Sequence, residues 1–173
     1  MTKILVIIDL QKGFLINNDN FKTKNNIVKI LQSRYFDKVI ATRYRNYDNS
    51  LFEKLLNYKD LKNESRIDLV SEIIPYIDVI TDKTNYSNVN NGLLPLLIQA
   101  NNGIYPTEIY IAGIDTDSCV LSTVIDLFNN NIIPKVLIDC CSSSGGEEYH
   151  LSALKILKRM IGQNQLINST QLK

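Results

Sequence analysis

Short apolar runs, each closed by a polar or charged residue, alternate along the chain with stretches in which apolar positions return every three or four residues. Residues 3–9 are a continuous apolar run ending in Asp9, the pattern of a central parallel strand whose two faces are both covered by helices. Residues 10–15 and the polar residues 17–20 read as a loop, after which Ile27, Val28, Leu31 and Tyr35 recur at helical spacing. Residues 38–42 predict a second strand, residues 51–58 a short helix and residues 59–71 an irregular connection. A third strand is expected over residues 76–81, closing near Lys83. Residues 93–99 predict a helix entered through Gly92, with Pro95 in the first turn, where a missing N–H is tolerated.

The run Ile109-Tyr110-Ile111 reads as a buried fourth strand, and Val120, Leu121, Val124, Ile125 and Phe128 as the helix that follows, with a tight turn ending in Cys119 between them. Residues 135–140 predict a fifth strand. Ser144-Gly145-Gly146-Glu147 has capping-box spacing ahead of Leu151, Leu154, Leu157 and Ile161, a helix ending near Gly162, and Leu166-Ile167 predicts a short edge strand. Strands alternating with helices across short connections imply an α/β fold with a parallel sheet, helices on both faces and right-handed crossovers. In such a sheet the ligand crevice lies beyond the carboxyl ends of the strands. Asp9, Lys83 and Cys119 stand at or just past that end of three strands, so an acid, a cation and a thiol far apart in sequence can meet there.

Length and charge narrow the partners. The chain has 173 residues, enough for one domain with a substantial core, and nothing in it suggests a boundary between two. Its formal charge is +1 with both signs interspersed and no basic run, so an electrostatic footprint for nucleic acid or an anionic membrane is missing and a small-molecule or protein partner is expected. The first apolar run is too short for a signal segment, and no other approaches membrane-spanning length. Three cysteines (Cys119, Cys140, Cys141) are an odd number with one adjacent pair, which disfavours a secreted disulfide framework and makes the cytoplasm the default compartment.

Cys119 is the residue with chemistry to offer. A thiol in the first turn of a helix sits among unpaired backbone N–H groups at the positive end of the helix dipole, and both favour the thiolate, as would a nearby lysine. The same N–H groups can hold the oxyanion formed when sulfur attacks a carbonyl. A free cysteine is equally at home as a small buried hydrophobe, and this stretch alone leaves both readings open.

Four motifs, taken together, go further. Val6-Ile7-Ile8-Asp9-Leu10-Gln11, Asp82-Lys83-Thr84-Asn85-Tyr86-Ser87, Gly113-Ile114-Asp115-Thr116-Asp117-Ser118-Cys119-Val120 and Asp139-Cys140-Cys141-Ser142 resemble, in order and across nearly the whole chain, the motifs of the isochorismatase-like cysteine hydrolase superfamily. That superfamily includes nicotinamidases, N-carbamoylsarcosine amidohydrolases and related small-amide hydrolases. The resemblance implies a three-layer αβα, Rossmann-like fold on a six-stranded parallel sheet, self-association into a homo-oligomer, and a catalytic triad of Asp9, Lys83 and Cys119. In that triad Asp9 relays the thiol proton, Lys83 holds the acid and the sulfur in place, and Cys119 attacks the amide carbon to give a thioester. It also implies a cis peptide at Ile114–Asp115 and an oxyanion hole made by the backbone N–H groups of Asp115 and Cys119.

The sequence departs from the resemblance in two places. Nicotinamidases carry an Asp-x-His pair and a further His for a metal, whereas the corresponding run here is Thr42-Arg43-Tyr44-Arg45-Asn46-Tyr47 and the one histidine is His150. A histidine-built metal site is therefore excluded by count, and no cofactor is expected. Asp115 stands where the superfamily often has a small apolar residue; an extra carboxylate there would oppose a thiolate or select a cationic substrate. Phe14, Arg43, Tyr44 and Tyr86 are expected to bind substrate, the arginines 43 and 45 with Tyr44 as a carboxylate site, while His150, Cys140 and Cys141 read as packing or capping residues. The function expected is metal-independent hydrolysis of the C–N bond of a small carboxamide or carbamoyl compound. The alternatives are vinyl-ether hydrolysis of the isochorismatase type, which needs the acid but not the thiol, and a non-catalytic binding or assembly role.

Overall fold

The structure is a computed structural model describing residues 2–62 and 64–172. Six parallel strands form one sheet: β1 (Ile4–Ile8), β2 (Lys38–Tyr44), β3 (Val79–Lys83), β4 (Glu108–Ile114), β5 (Ile133–Ser142) and β6 (Leu166–Ile167), in the order β3-β2-β1-β4-β5-β6. Helices α1 (Asn18–Gln32), α2 (Leu51–Leu56), α3 (Glu64–Ile67), α4 (Leu94–Ala100), α5 (Leu121–Asn129) and α6 (Glu147–Ile161) occupy the connections. This is the α/β fold that the alternation of apolar runs and helical periods predicts. No described helix is long and apolar enough to cross a membrane.

β1 explains why the sheet needs two covers. All five of its side chains are fully buried, and they alternate: Ile4, Val6 and Ile8 pack with Leu97, Val124, Leu127 and Leu157 from α4, α5 and α6, while Leu5 and Ile7 pack with Ile27, Ile30 and Leu31 from α1. The chain runs outward from β1 through β2 to β3 and then returns to the other side of β1 as β4. The strand order therefore reverses between β1 and β4, and the mouth of that reversal is where an open α/β sheet leaves room for a ligand.

Several boundaries differ from the sequence reading. The polar residues 17–20 are not loop: the Asn17 side chain accepts the Asn20 N–H at 2.9 Å, so they form the cap and first turn of α1, which ends at Gln32, before Tyr35. The third strand begins at Val79 because Ser71–Tyr76 forms a 3-10 segment containing Pro75, and pairing with β2 starts only at Ile40 opposite Val79. Ser144 does not cap α6: Gly146, at φ +103°, leads directly into Glu147 without a side-chain cap, and Ser144 is bonded elsewhere. β5 continues to Ser142, with a register shift against β4 between Ile111 and Gly113. Residues 59–71 contain the single turn α3, and Asn63 within them lies outside the described residues.

One glycine is required to bring the site together. Gly113 of β4 lies opposite Ile8 of β1 at φ +132°, and a Cβ there would sit 2.1 Å from the Ile8 carbonyl oxygen. Strand backbone cannot yield as a flexible side chain does. Gly113→Ala is expected to cost about 3 kcal/mol or more, read as a lower urea midpoint at unchanged m-value; a midpoint within error of the parent would refute this close approach.

Candidate active site

Each of the three polar residues marked by the sequence is fixed by the strand end that carries it. Asp9 follows β1 in a left-handed conformation (φ +47°), rare for a residue with a side chain. Its N–H donates to the carbonyl and the hydroxyl oxygen of Thr42, each at 3.2 Å, and the Thr42 hydroxyl donates back to Asp9 Oδ1 at 2.7 Å. That exchange turns the other carboxylate oxygen toward Lys83, whose Nζ lies 2.6 Å from Asp9 Oδ2. Lys83 closes β3, two strands from β1, a gap of roughly 10 Å that suits a long, extended side chain. Its ammonium also donates to the Asn85 and Tyr86 carbonyl oxygens, at 2.8 and 3.1 Å, and to Cys119 Sγ at 3.3 Å.

Cys119 sits two residues before α5, in the wide turn Thr116–Val120, where the Val120 N–H reaches back to the Asp115 carbonyl at 3.0 Å. The peptide bond between Ile114 and Asp115, just before that turn, is cis. Asp9, Lys83 and Cys119 are all buried, at 0%, 4% and 7% exposure, so their charges act on one another with little solvent screening.

The electrostatics at Cys119 set burial against the helix start and the lysine. Burial raises the Cys119 thiol well above its ordinary range and the neighbouring Asp9 raises it further, while Lys83 works in the opposite direction without prevailing. The position at a helix start therefore works against burial at Cys119, and burial is the larger influence on the thiol. Burial also opposes the charge on Lys83, but Asp9 and the sulfur outweigh it and hold the ammonium above its usual range.

A cavity of about 240 Å³ borders Cys119, walled by Phe14, Tyr44, Phe52, Tyr58 and Tyr86, with Asp115 on its surface. Of the expected substrate-binding residues, Phe14, Tyr44 and Tyr86 border this cavity. Arg43 does not: its guanidinium pairs with Asp82 at 2.7 and 3.0 Å, joined there by Arg45 at 3.0 Å, and neither arginine borders the cavity. The alternation of β2 and β3 explains this, since Tyr44 and Lys83 are register partners on the cavity side and Arg43 and Asp82 are partners one step back. Cys140 and Cys141 are buried in β5, and His150 in α6 meets the Thr116 hydroxyl at 2.8 Å, bracing the turn that carries Cys119.

Sequence reading missed Thr42, Gln11, Phe52 and Tyr58. The buried Gln11 side chain bonds the Tyr44 N–H and carbonyl at 2.8 and 2.9 Å and the Ile67 carbonyl at 2.8 Å, fixing one aromatic wall. Its place two residues after Asp9 was the available signal; Phe52 and Tyr58 gave none, because α2 and the segment after it have no strong periodicity.

Residues 3–168 match the family model described as an isochorismatase domain. The chain belongs to the isochorismatase family. Isochorismatase family protein 1B of Dictyostelium discoideum is 28% identical over 179 residues, which cover 98% of this chain and 75% of that protein. A nicotinamidase of Bacillus subtilis superposes with a TM-score of 0.76 at 24% identity, covering 94% of this chain and 97% of its own. The N-carbamoylsarcosine amidase of Thermoplasma acidophilum gives 0.78 at 20% identity, covering 94% of each. These superpositions show a shared fold.

Within the isochorismatase family framework, the side chains around this cavity do not suit a histidine-held metal. Arg43 and Arg45 are cations committed to Asp82, His150 is engaged by Thr116, and the described residues contain no group of three His, Cys, Asp or Glu side chains placed to hold an ion.

Asp115 is the unusual member of the site. Its Oδ1 accepts the Ser144 N–H at 2.7 Å and its Oδ2 the Ser144 hydroxyl at 2.5 Å. Burial nonetheless pushes its carboxyl up to about 6, against those two bonds, and Asp117 and Asp9 add to the rise. The folded protein then holds this proton more tightly than the unfolded chain does, so the contribution to stability falls as pH climbs from about 4 through 6. Between pH 4 and 7 the parent is expected to lose about 2 kcal/mol of unfolding free energy relative to Asp115→Asn. Parallel pH profiles of the two proteins in urea would contradict the shift.

Proposed function

We propose that this isochorismatase family chain is a cysteine hydrolase that cleaves the C–N bond of a small carboxamide or carbamoyl compound, with Asp9, Lys83 and Cys119 as its triad. The observation that carries this reading is a thiol in contact with a buried lysine ammonium that is itself paired with a buried carboxylate, all beside a cavity sized for a small molecule. The fold shared with a nicotinamidase and an N-carbamoylsarcosine amidase supports it.

The steps follow from where the protons can go. As sulfur bonds to the amide carbon, the thiol proton passes to Asp9, which removes the cost of ionising a desolvated thiol beforehand. The carbonyl oxygen takes up the negative charge, with the backbone N–H groups of Asp115 and Cys119 as its donors. When the C–N bond breaks, Asp9 returns the proton to the departing nitrogen, which leaves as ammonia or an amine. Water then attacks the thioester, giving one proton to Asp9; the C–S bond breaks, the acid is released, and that proton returns to sulfur. Lys83 stays an ammonium throughout and offsets charge first on the carboxylate and then on the sulfur. Each step is carried by a side chain of the cluster.

Release of ammonia or amine from a panel of amides and carbamoyl compounds tests the assignment. Asp9→Asn is expected to lower kcat by about 10² to 10⁴, Cys119→Ala to abolish turnover, and the intact mass during turnover to show an acyl adduct on Cys119. Turnover at the parent rate by Cys119→Ala would overturn the thiol mechanism.

A further inference from the structure

Among the side chains that border the cavity, Asp115 is the one that carries a formal charge. It is part-buried, and among the described residues its carboxylate is hydrogen-bonded only to Ser144 and has no ion-pair partner. A desolvated carboxylate without a cation is costly, and such a group is relieved by a ligand that brings the missing positive charge. Each carboxylate oxygen accepts one hydrogen bond from Ser144 and keeps a second acceptor site open.

The aromatic wall points to the same ligand. Tyr44, Phe52 and Tyr86 form a continuous run of rings, with centroids 5.0 Å apart for Tyr44 and Phe52 and 4.8 Å for Phe52 and Tyr86. Ring faces attract cations, most strongly where water is excluded. The Tyr44 hydroxyl, buried on the same cavity, has no hydrogen-bond partner among the described residues, so a polar group of the ligand has a place to bond. No arginine or lysine side chain borders the cavity, and Lys83, 5.5 Å from the Tyr44 ring centroid, is already paired with Asp9.

We propose that this cavity selects a cationic substrate: an amide or carbamoyl compound bearing an ammonium, quaternary ammonium or amidinium group, held by Asp115 and the ring faces. This rests on the amide-hydrolase reading for the reaction, and Asp115 acts as a specificity-determining residue within it. The placement follows from the chain: Asp115 and Cys119 are four positions apart in one turn, so the cation and the scissile bond belong to one small molecule.

The test uses probes that need no turnover. Binding of benzyltrimethylammonium and of benzoate is measured by calorimetry on the parent, Asp115→Asn and Ser144→Ala proteins. The cation is expected to bind the parent about tenfold or more tightly than benzoate, and Asp115→Asn to remove most of that preference. Ser144→Ala, which keeps the charge but loses a bond that steadies it, is expected to retain the preference. Benzoate binding as well as the cation to the parent would overturn the inference without any variant, as would an unchanged preference in Asp115→Asn. The two readings fail separately: cation binding with no hydrolysis of any amide sinks the hydrolase assignment alone, and hydrolysis with no preference for cationic amides sinks this one alone.

Discussion

A single ammonium, buried between a carboxylate and a thiol, is the constraint on which this site depends. Lys83 reaches across from β3 to place its charge 2.6 Å from Asp9 and 3.3 Å from Cys119, in space that solvent barely enters. Desolvating that charge is expensive, and the structure offsets the cost with the carboxylate, the sulfur and two backbone carbonyls. The same low-dielectric setting pushes the Cys119 thiol up, and in the proposed reaction the proton's transfer to Asp9 accompanies the attack on substrate.

The rest of the molecule can be understood as what holds three strand ends in register. Gly113 lets β4 press against β1, Thr42 clamps the strained Asp9 backbone from β2, and Gln11 ties the loop after β1 to both Tyr44 and Ile67. Asp115 is the exception to this economy. Its carboxyl, pushed up to about 6 chiefly by burial, weakens the free protein near neutral pH.

The sheet and the three strand-end residues were legible because they depend on patterns the backbone imposes. Continuous apolar runs such as that of β1 mean double cover, and residues closing parallel strands gather at one rim. What escaped the sequence depends on side-chain direction and local competition. Arg43 and Tyr44 are neighbours, yet one residue of register sends Tyr44 to the cavity and Arg43 to Asp82. Ser144 has the spacing of a helix cap, but Asp115, far from it in sequence, takes both of its donors. At Cys119 the helix start favours a thiolate and desolvation in the folded protein opposes it, and the second influence is not visible in the sequence.

The most direct measurement of the central claim is a double-mutant cycle on stability with Asp9→Asn, Lys83→Met and the pair together. Removing either partner strands the other's buried charge and is expected to cost about 3 to 5 kcal/mol, whereas removing both should cost clearly less than the sum of the two. Losses that simply add would mean that the acid and the ammonium do not share one buried environment, and the account of the site would fail with that result.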